Sequence, residues 1–179
     1  MAQRGANPPA VEPLSPSRRN PFDKVRQPRR AELWELLVAR DNEAFAALDW
    51  APVADDFWPE RFEGISALGS LDPADWTLAY PSLESYRDDW LRMARNFLDV
   101  PLADGDHLGL LYAMTTLDRF EFDGDRALVW KRFRAEAPLR DGGFWTIASQ
   151  SLFRLHRDGD RWRIAGFVGY LPLPTEAEA

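Results

Sequence analysis

Phe122-Asp123-Gly124-Asp125-Arg126 and, further on, His156-Arg157-Asp158-Gly159-Asp160-Arg161 carry one short phrase twice. Each copy places an Asp-Gly turn between two apolar runs, the strongest short-range signal for a β-hairpin. The two turns divide the C-terminal part into an antiparallel meander of four strands, over Leu108–Phe122, Arg126–Glu136, Phe144–Arg157 and Arg161–Leu171. Helical patterns precede it, so an α+β fold is expected: a curved antiparallel sheet, the meander plus short strands, wrapped over N-terminal helices. Such a sheet encloses a cone with a central pocket.

Upstream of the meander the periodicity is helical. Leu33, Trp34, Leu37, Val38, Phe45 and Leu48 recur at helix spacing within 30–48, while Glu32, Glu35, Arg40, Asp41 and Glu43 take the other side. Pro28 and Pro52 bound that element. A short helix near Val53–Trp58 and a short strand near Arg61–Ile65 come next, then a strand over Trp76–Tyr80 that stops at Pro81. Ser82 reads as the N-cap of a helix over Leu83–Leu98, whose apolar stripe is Tyr86, Trp90, Met93, Ala94 and Phe97.

Composition bounds the rest. The chain has 179 residues, enough for one domain with its own core, and 13% of them are aromatic, which argues for a large one. There is no cysteine, which removes disulfides, thiolate metal sites and cysteine nucleophiles. The net charge of −7 is uneven: the first thirty residues hold seven basic groups against Glu12 and Asp23, a balance of +5, which leaves −12 for the remainder. Six of the fourteen prolines lie in the same stretch. Residues 1–29 are therefore read as a disordered Pro/Arg-rich tail, 30–174 as the domain, and 175–179 as an acidic C-terminal tail. Contact of Arg18-Arg19 and Arg29-Arg30 with nucleic acid is the less favoured reading, since no aromatic residue is interleaved and the rest is acidic. No apolar run approaches a membrane span and no secretory pattern opens the chain, so a cytoplasmic protein without membrane contact is expected.

The order helix, short helix, small strands, helix, four long strands resembles the cystatin-like α+β cone of the nuclear transport factor 2-like superfamily, and within it the SnoaL-like proteins. The resemblance rests on the helix 31–48, on the step Tyr80-Pro81-Ser82-Leu83-Glu84-Ser85-Tyr86, and on the ending Asp158-Gly159-Asp160-Arg161-Trp162-Arg163-Ile164-Ala165-Gly166-Phe167-Val168-Gly169-Tyr170-Leu171-Pro172. It covers about residues 30–172. The superfamily hosts isomerases, dehydratases, cyclases, epoxide hydrolases and transport adaptors, so the likeness implies a fold and not a reaction. It also implies a homodimer paired through the outside of the sheet, where Trp130 and Trp145 are read as core or interface.

Strand parity then assigns faces. With Asp158-Gly159 as a two-residue turn, Leu155 pairs with Trp162, Phe153 with Ile164 and Ser151 with Gly166, facing the helices, and His156 faces water. With Asp123-Gly124 as the other turn, the inward set is Met114, Thr116, Asp118, Phe120, Ala127, Val129, Lys131 and Phe133. An inward Asp118 beside Lys131 is the sharpest chemical feature: burial raises a carboxyl and an ammonium lowers it, the opposed pulls that tune a general acid or base. Ketosteroid isomerase-like members use an aspartate base with a phenol, which makes Asp118 with Tyr112, Tyr80 or Tyr170 the analogous group, although none matches that motif position by position. The plainer reading is that Asp118 and Lys131 form an ordinary cross-strand ion pair at the rim or on the outer face. His107, in the loop before the sheet, is a second proton-transfer candidate, or simply a solvated turn residue.

With two histidines, no HExxH, no GxGxxG, no GxxxxGK[ST] and no GxSxG, neither a metal nor a cofactor is expected. Three functions remain open. The first is a binding protein for a small apolar or amphipathic molecule, with Tyr80, Trp90, Tyr112, Met114, Phe133, Trp145 and Tyr170 shaping the cavity and Thr116, Lys131 and Ser149 beside them. The second is a cofactor-independent isomerase, dehydratase or cyclase using Asp118 or His107. The third is a dimeric interaction module.

Overall fold

The computed structural model describes residues 18–174. The first helical stretch is one continuous rod in three parts: α1 (Pro28–Trp34), a π-helical stretch (Glu35–Arg40) and α2 (Asp41–Ala47). A wider π turn rotates the residues after it relative to an unbroken α-helix, and such turns gather at functional sites. The short α3 (Ala51–Ala54), β1 (Glu63–Ser66) and β2 (Thr77–Tyr80) precede α4 (Leu83–Leu98). A capping box fixes the start of α4: the Ser82 hydroxyl accepts from the Ser85 amide at 3.2 Å.

A further helix, α5 (His107–Met114), stands where the sequence pattern placed the beginning of the first long strand. Leu108-Gly109-Leu110-Leu111-Tyr112-Ala113-Met114 is apolar without a period, and a fully apolar run does not distinguish a buried helix from a buried strand. Asp106 decides between them, since its carboxylate caps the helix by accepting from the Gly109 amide at 2.8 Å. The long strands are β3 (Thr115–Asp123), β4 (Arg126–Pro138), β5 (Phe144–Asp158) and β6 (Arg161–Leu171).

The sheet runs β2-β1-β6-β5-β4-β3. Every pairing is antiparallel except β1 with β6, which is parallel, so the sheet is mixed. Both hairpin turns sit one residue later than Asp-Gly, because Asp123 pairs with Arg126 and Asp158 with Arg161. The loops are therefore Gly124-Asp125 and Gly159-Asp160, with the glycines at φ +54 and +59, where a Cβ would be strained. Moving a turn by one residue changes each partner by two. Faces are preserved near the turns: Leu155 pairs with Ile164 and Phe120 with Val129, both inward.

The helices pack on the inner face around Leu33, Leu37, Val38, Val129 and Leu155, each almost wholly buried. Residues 18–29, expected from composition to belong to a disordered tail, lie against this domain instead. Phe22 packs edge-on against Phe120 at 5.2 Å, and the Asn20 amide donates to the Ala31 carbonyl at 2.9 Å. Arg29 and Arg30 cover the rings of Phe122 and Phe120. The remainder of the expected N-terminal tail, 1–17, and the C-terminal tail, 175–179, lie outside the described residues. No helix among the described residues is long and apolar enough to cross a membrane.

Candidate functional site

Between sheet and helices lies a cavity of about 390 Å³. Its wall is mostly apolar and aromatic. Leu36, Leu37 and Phe45 come from the first rod, Trp90, Met93 and Phe97 from α4, Leu111 and Met114 from α5, and Phe133, Trp145, Ile147, Phe153 and Phe167 from the sheet. Edge-to-face contacts of Phe45 with Trp90 at 5.0 Å and Phe97 with Trp145 at 5.5 Å fix parts of that wall.

One polar cluster interrupts it. Lys131, on β4, points inward and is only 2% exposed. Its Nζ lies 2.6 Å from Asp41 Oδ2, and the Trp90 indole N–H donates to Asp41 Oδ1 at 3.2 Å. Both carboxylate oxygens of Asp41 are thus held by N–H donors, one charged and one neutral. The ammonium also lies 5.2 Å from the centre of the Phe133 ring. Next along the chain, Asn42 reaches the same cavity. At the junction just before, Arg40 grips Asp56 through two hydrogen bonds of 2.7 and 2.9 Å. Burial raises the Asp56 carboxyl above its ordinary range, and Arg40 opposes that rise.

The phenols divide. Tyr86 is enclosed in the wall, and burial pushes its hydroxyl well above the usual value. Tyr80 donates to Asp89 at 2.6 Å, while the Tyr170 hydroxyl meets the Met93 sulfur at 3.3 Å. Tyr170 holds a left-handed backbone (φ +58) and is still 44% exposed, so it borders the cavity from the solvent side.

Most residues singled out in the sequence reach the cavity. Tyr80, Trp90, Met114, Lys131, Phe133, Trp145, Ser149 and Tyr170 line it. Tyr112 does not: its hydroxyl donates to Glu43 at 3.1 Å, and burial first, then Glu43, push it up to about 12. His107 opens α5 outside the cavity, with Nε2 2.9 Å from the Val100 carbonyl and its ring against Phe97.

Asp118 and Thr116 require a correction. β3 carries a bulge between Leu117 and Arg119, so Leu117 opposes Lys131 and Arg119 opposes Trp130. The extra residue is Asp118, and it reverses the phase of everything before it. Thr115 and Leu117 turn inward and are buried, while Thr116 and Asp118 face out. Asp118 pairs with Arg132 at 2.7 Å on the outer face. The inward partner of Lys131 is Asp41 instead. A second bulge, in β6, places Gly166 opposite Arg154 and Phe167 opposite Phe153, which replaces the expected Ser151–Gly166 pair.

Asp41, Asn42, Asp56, Tyr86, Asn96 and Ser151 are the polar lining groups that sequence patterning left out of the pocket. A signal for Asp41 exists: it stands four residues after Leu37 and four before Phe45, on one helix face with both.

No known family profile matches the chain, and no curated protein matches it in sequence. Solved structures do match it in shape. A conserved protein from Planctomyces limnophilus shares 12% identity, covering 84% of this chain and 100% of its own, with a TM-score of 0.54. A protein of unknown function from Mycobacterium tuberculosis shares 15% identity over 86% of this chain and 77% of its own, with a TM-score of 0.52. An NTF2-like protein of unknown function from Pseudomonas putida shares 14% identity over 83% and 90%, with a TM-score of 0.50. The chain has the nuclear transport factor 2-like (NTF2-like) fold. At these identities the likeness concerns the fold alone.

Proposed function

We propose that this protein binds a small, largely apolar, uncharged molecule in the cavity between its helices and sheet. The observation that carries the reading is an aromatic-walled space of about 390 Å³ whose charged lining groups are all paired, Lys131 with Asp41 and Asp56 with Arg40. That volume is in the range of small-molecule sites, and their usual make-up is an apolar wall with a few convergent polar groups. The ligand is uncharged because the site's own charges already have partners: Lys131 has Asp41 and Asp56 has Arg40. A further ion would lose its hydration without gaining a counter-charge.

Naphthalene, flat and uncharged, tests this through the emission of Trp90 and Trp145, both in the wall. The expected result is a saturable, one-to-one change that disappears in Ser149→Trp, a substitution that fills the cavity from β5. No saturable change, or an identical one in a folded Ser149→Trp protein, would overturn the reading.

A second reading adds chemistry to binding. Asp41 is half-buried, hydrogen-bonded and open to the cavity, the position of a proton acceptor. With 2-tetralone in heavy water, Asp41 would take a proton from the carbon next to the carbonyl and return a deuteron, Lys131 donating to the enolate oxygen between the two steps. Deuterium incorporation that is lost in Asp41→Asn supports this reading; none above the rate in buffer sinks it and leaves binding.

A further inference from the structure

We infer that Asn42 selects for a hydroxyl group on the ligand, so that the cavity takes ring compounds bearing a phenol or alcohol in preference to hydrocarbons of the same shape. This rests on the binding reading proposed for the same cavity.

Asn42 is 2% exposed, and its amide nitrogen has no hydrogen-bond partner among the described residues. Leaving a buried amide unpaired opposes folding, and such groups are rare. Of the buried side chains with an unpaired polar atom among the described residues, Asn42 alone lines the cavity. Thr115 and Gln150, by contrast, lie outside its wall.

Its surroundings specify the missing partner. Asp41, adjacent in the chain, has both oxygens engaged, by Lys131 and by Trp90. Among the described residues Lys131 Nζ hydrogen-bonds only to Asp41, and an ammonium carries three donors. The cavity wall thus offers two sets of donors, the spare N–H groups of Lys131 and the unpaired amide N–H of Asn42. A hydroxyl matches this set because its oxygen, with two lone pairs, accepts from both. A carboxylate would upset the charge balance, and a hydrocarbon would leave the amide as it is. The rings of Phe45, Trp90, Phe133 and Trp145 form the matching wall for the apolar body.

The test uses the full chain and two probes of one shape, 2-naphthol and 2-methylnaphthalene, with affinities from equilibrium dialysis. Asn42→Leu is expected to weaken 2-naphthol about fivefold or more, the worth of one hydrogen bond, and to leave 2-methylnaphthalene within about twofold. The variant's unfolding midpoint without ligand is expected to equal or exceed that of the wild type, because an unpaired amide is removed. A purely structural asparagine would lower it. If Asn42→Leu does not fold, Asn42→Ala carries the same expectation for the two probes.

Equal weakening of both probes, or unchanged 2-naphthol binding, overturns the inference while naphthalene binding still stands. If naphthalene and both probes fail to bind the wild type, the binding reading falls and takes this inference with it.

Discussion

Lys131 and Asp41 show how the value of a charged residue depends on what remains when its partner is removed. The ammonium is sealed in the protein, whereas the carboxylate is about a quarter exposed. Asp41→Ala strands a buried cation and is expected to cost about 3 kcal/mol in urea unfolding. Lys131→Met strands a carboxylate that water can reach, and is expected to cost less, about 1–2 kcal/mol. Asp41→Ala combined with Lys131→Met should be much milder than the sum of the two, and strict additivity would contradict the pairing. Asp56 gives a second residue-scale expectation. Its folded carboxyl titrates above the ordinary 3.8, mainly through burial. The stability it contributes is therefore full below that value and is lost as pH rises through the raised one. Relative to Asp56→Asn, the wild type should lose ground as pH rises above the ordinary 3.8 and through the raised value, and parallel curves would contradict this. At this scale the sequence pointed to Lys131 and missed its partner. Parity located the lysine from the turn alone. Asp41, although flanked at four-residue spacing by Leu37 and Phe45, was grouped with the polar side as charged residues usually are.

Elements explain the misplacement of Asp118. Alternation along a strand is reliable until an extra residue enters, and nothing in Thr116-Leu117-Asp118-Arg119 marks where a bulge falls. Helix α4, with Ser82 as its cap and a regular apolar stripe, was legible to its boundaries. Helix α5 was not, because burial all round removes the period on which such a reading depends. Gly166 is the glycine on which the sheet order depends most. Its φ is +147, and a Cβ there would come within 2.2 Å of the Glu63 carbonyl on the neighbouring parallel strand. Gly166→Ala is expected to cost about 2–3 kcal/mol, through a clash that backbone must absorb. Gly124→Ala, with nothing within 4 Å, should cost only about 1 kcal/mol of backbone strain. Chemical denaturation of the two variants compares them directly, and equal losses would place the strain in φ alone.

For the molecule as a whole, the α+β cone with its inner space was readable from two Asp-Gly turns and the helical stripes before them. The contents of the space were not, because the polar end is assembled from α2, α4 and β4, far apart in sequence. A ligand confined to that space binds the folded chain and not the unfolded one. At a concentration ten times its dissociation constant it adds about 1.4 kcal/mol of stability. For a domain of this size that is an increase in melting temperature of roughly 3–6 °C. Ser149→Trp should abolish the increase, and a ligand-induced rise that persists in that variant would locate the binding elsewhere. The most direct single measurement is a crystal structure grown with 2-naphthol. The account predicts the ring between Phe133, Trp90 and Trp145, with its oxygen within hydrogen-bond distance of Asn42 and Lys131. A naphthol bound on the outer face of the sheet, or a cavity closed by its own side chains, would contradict it.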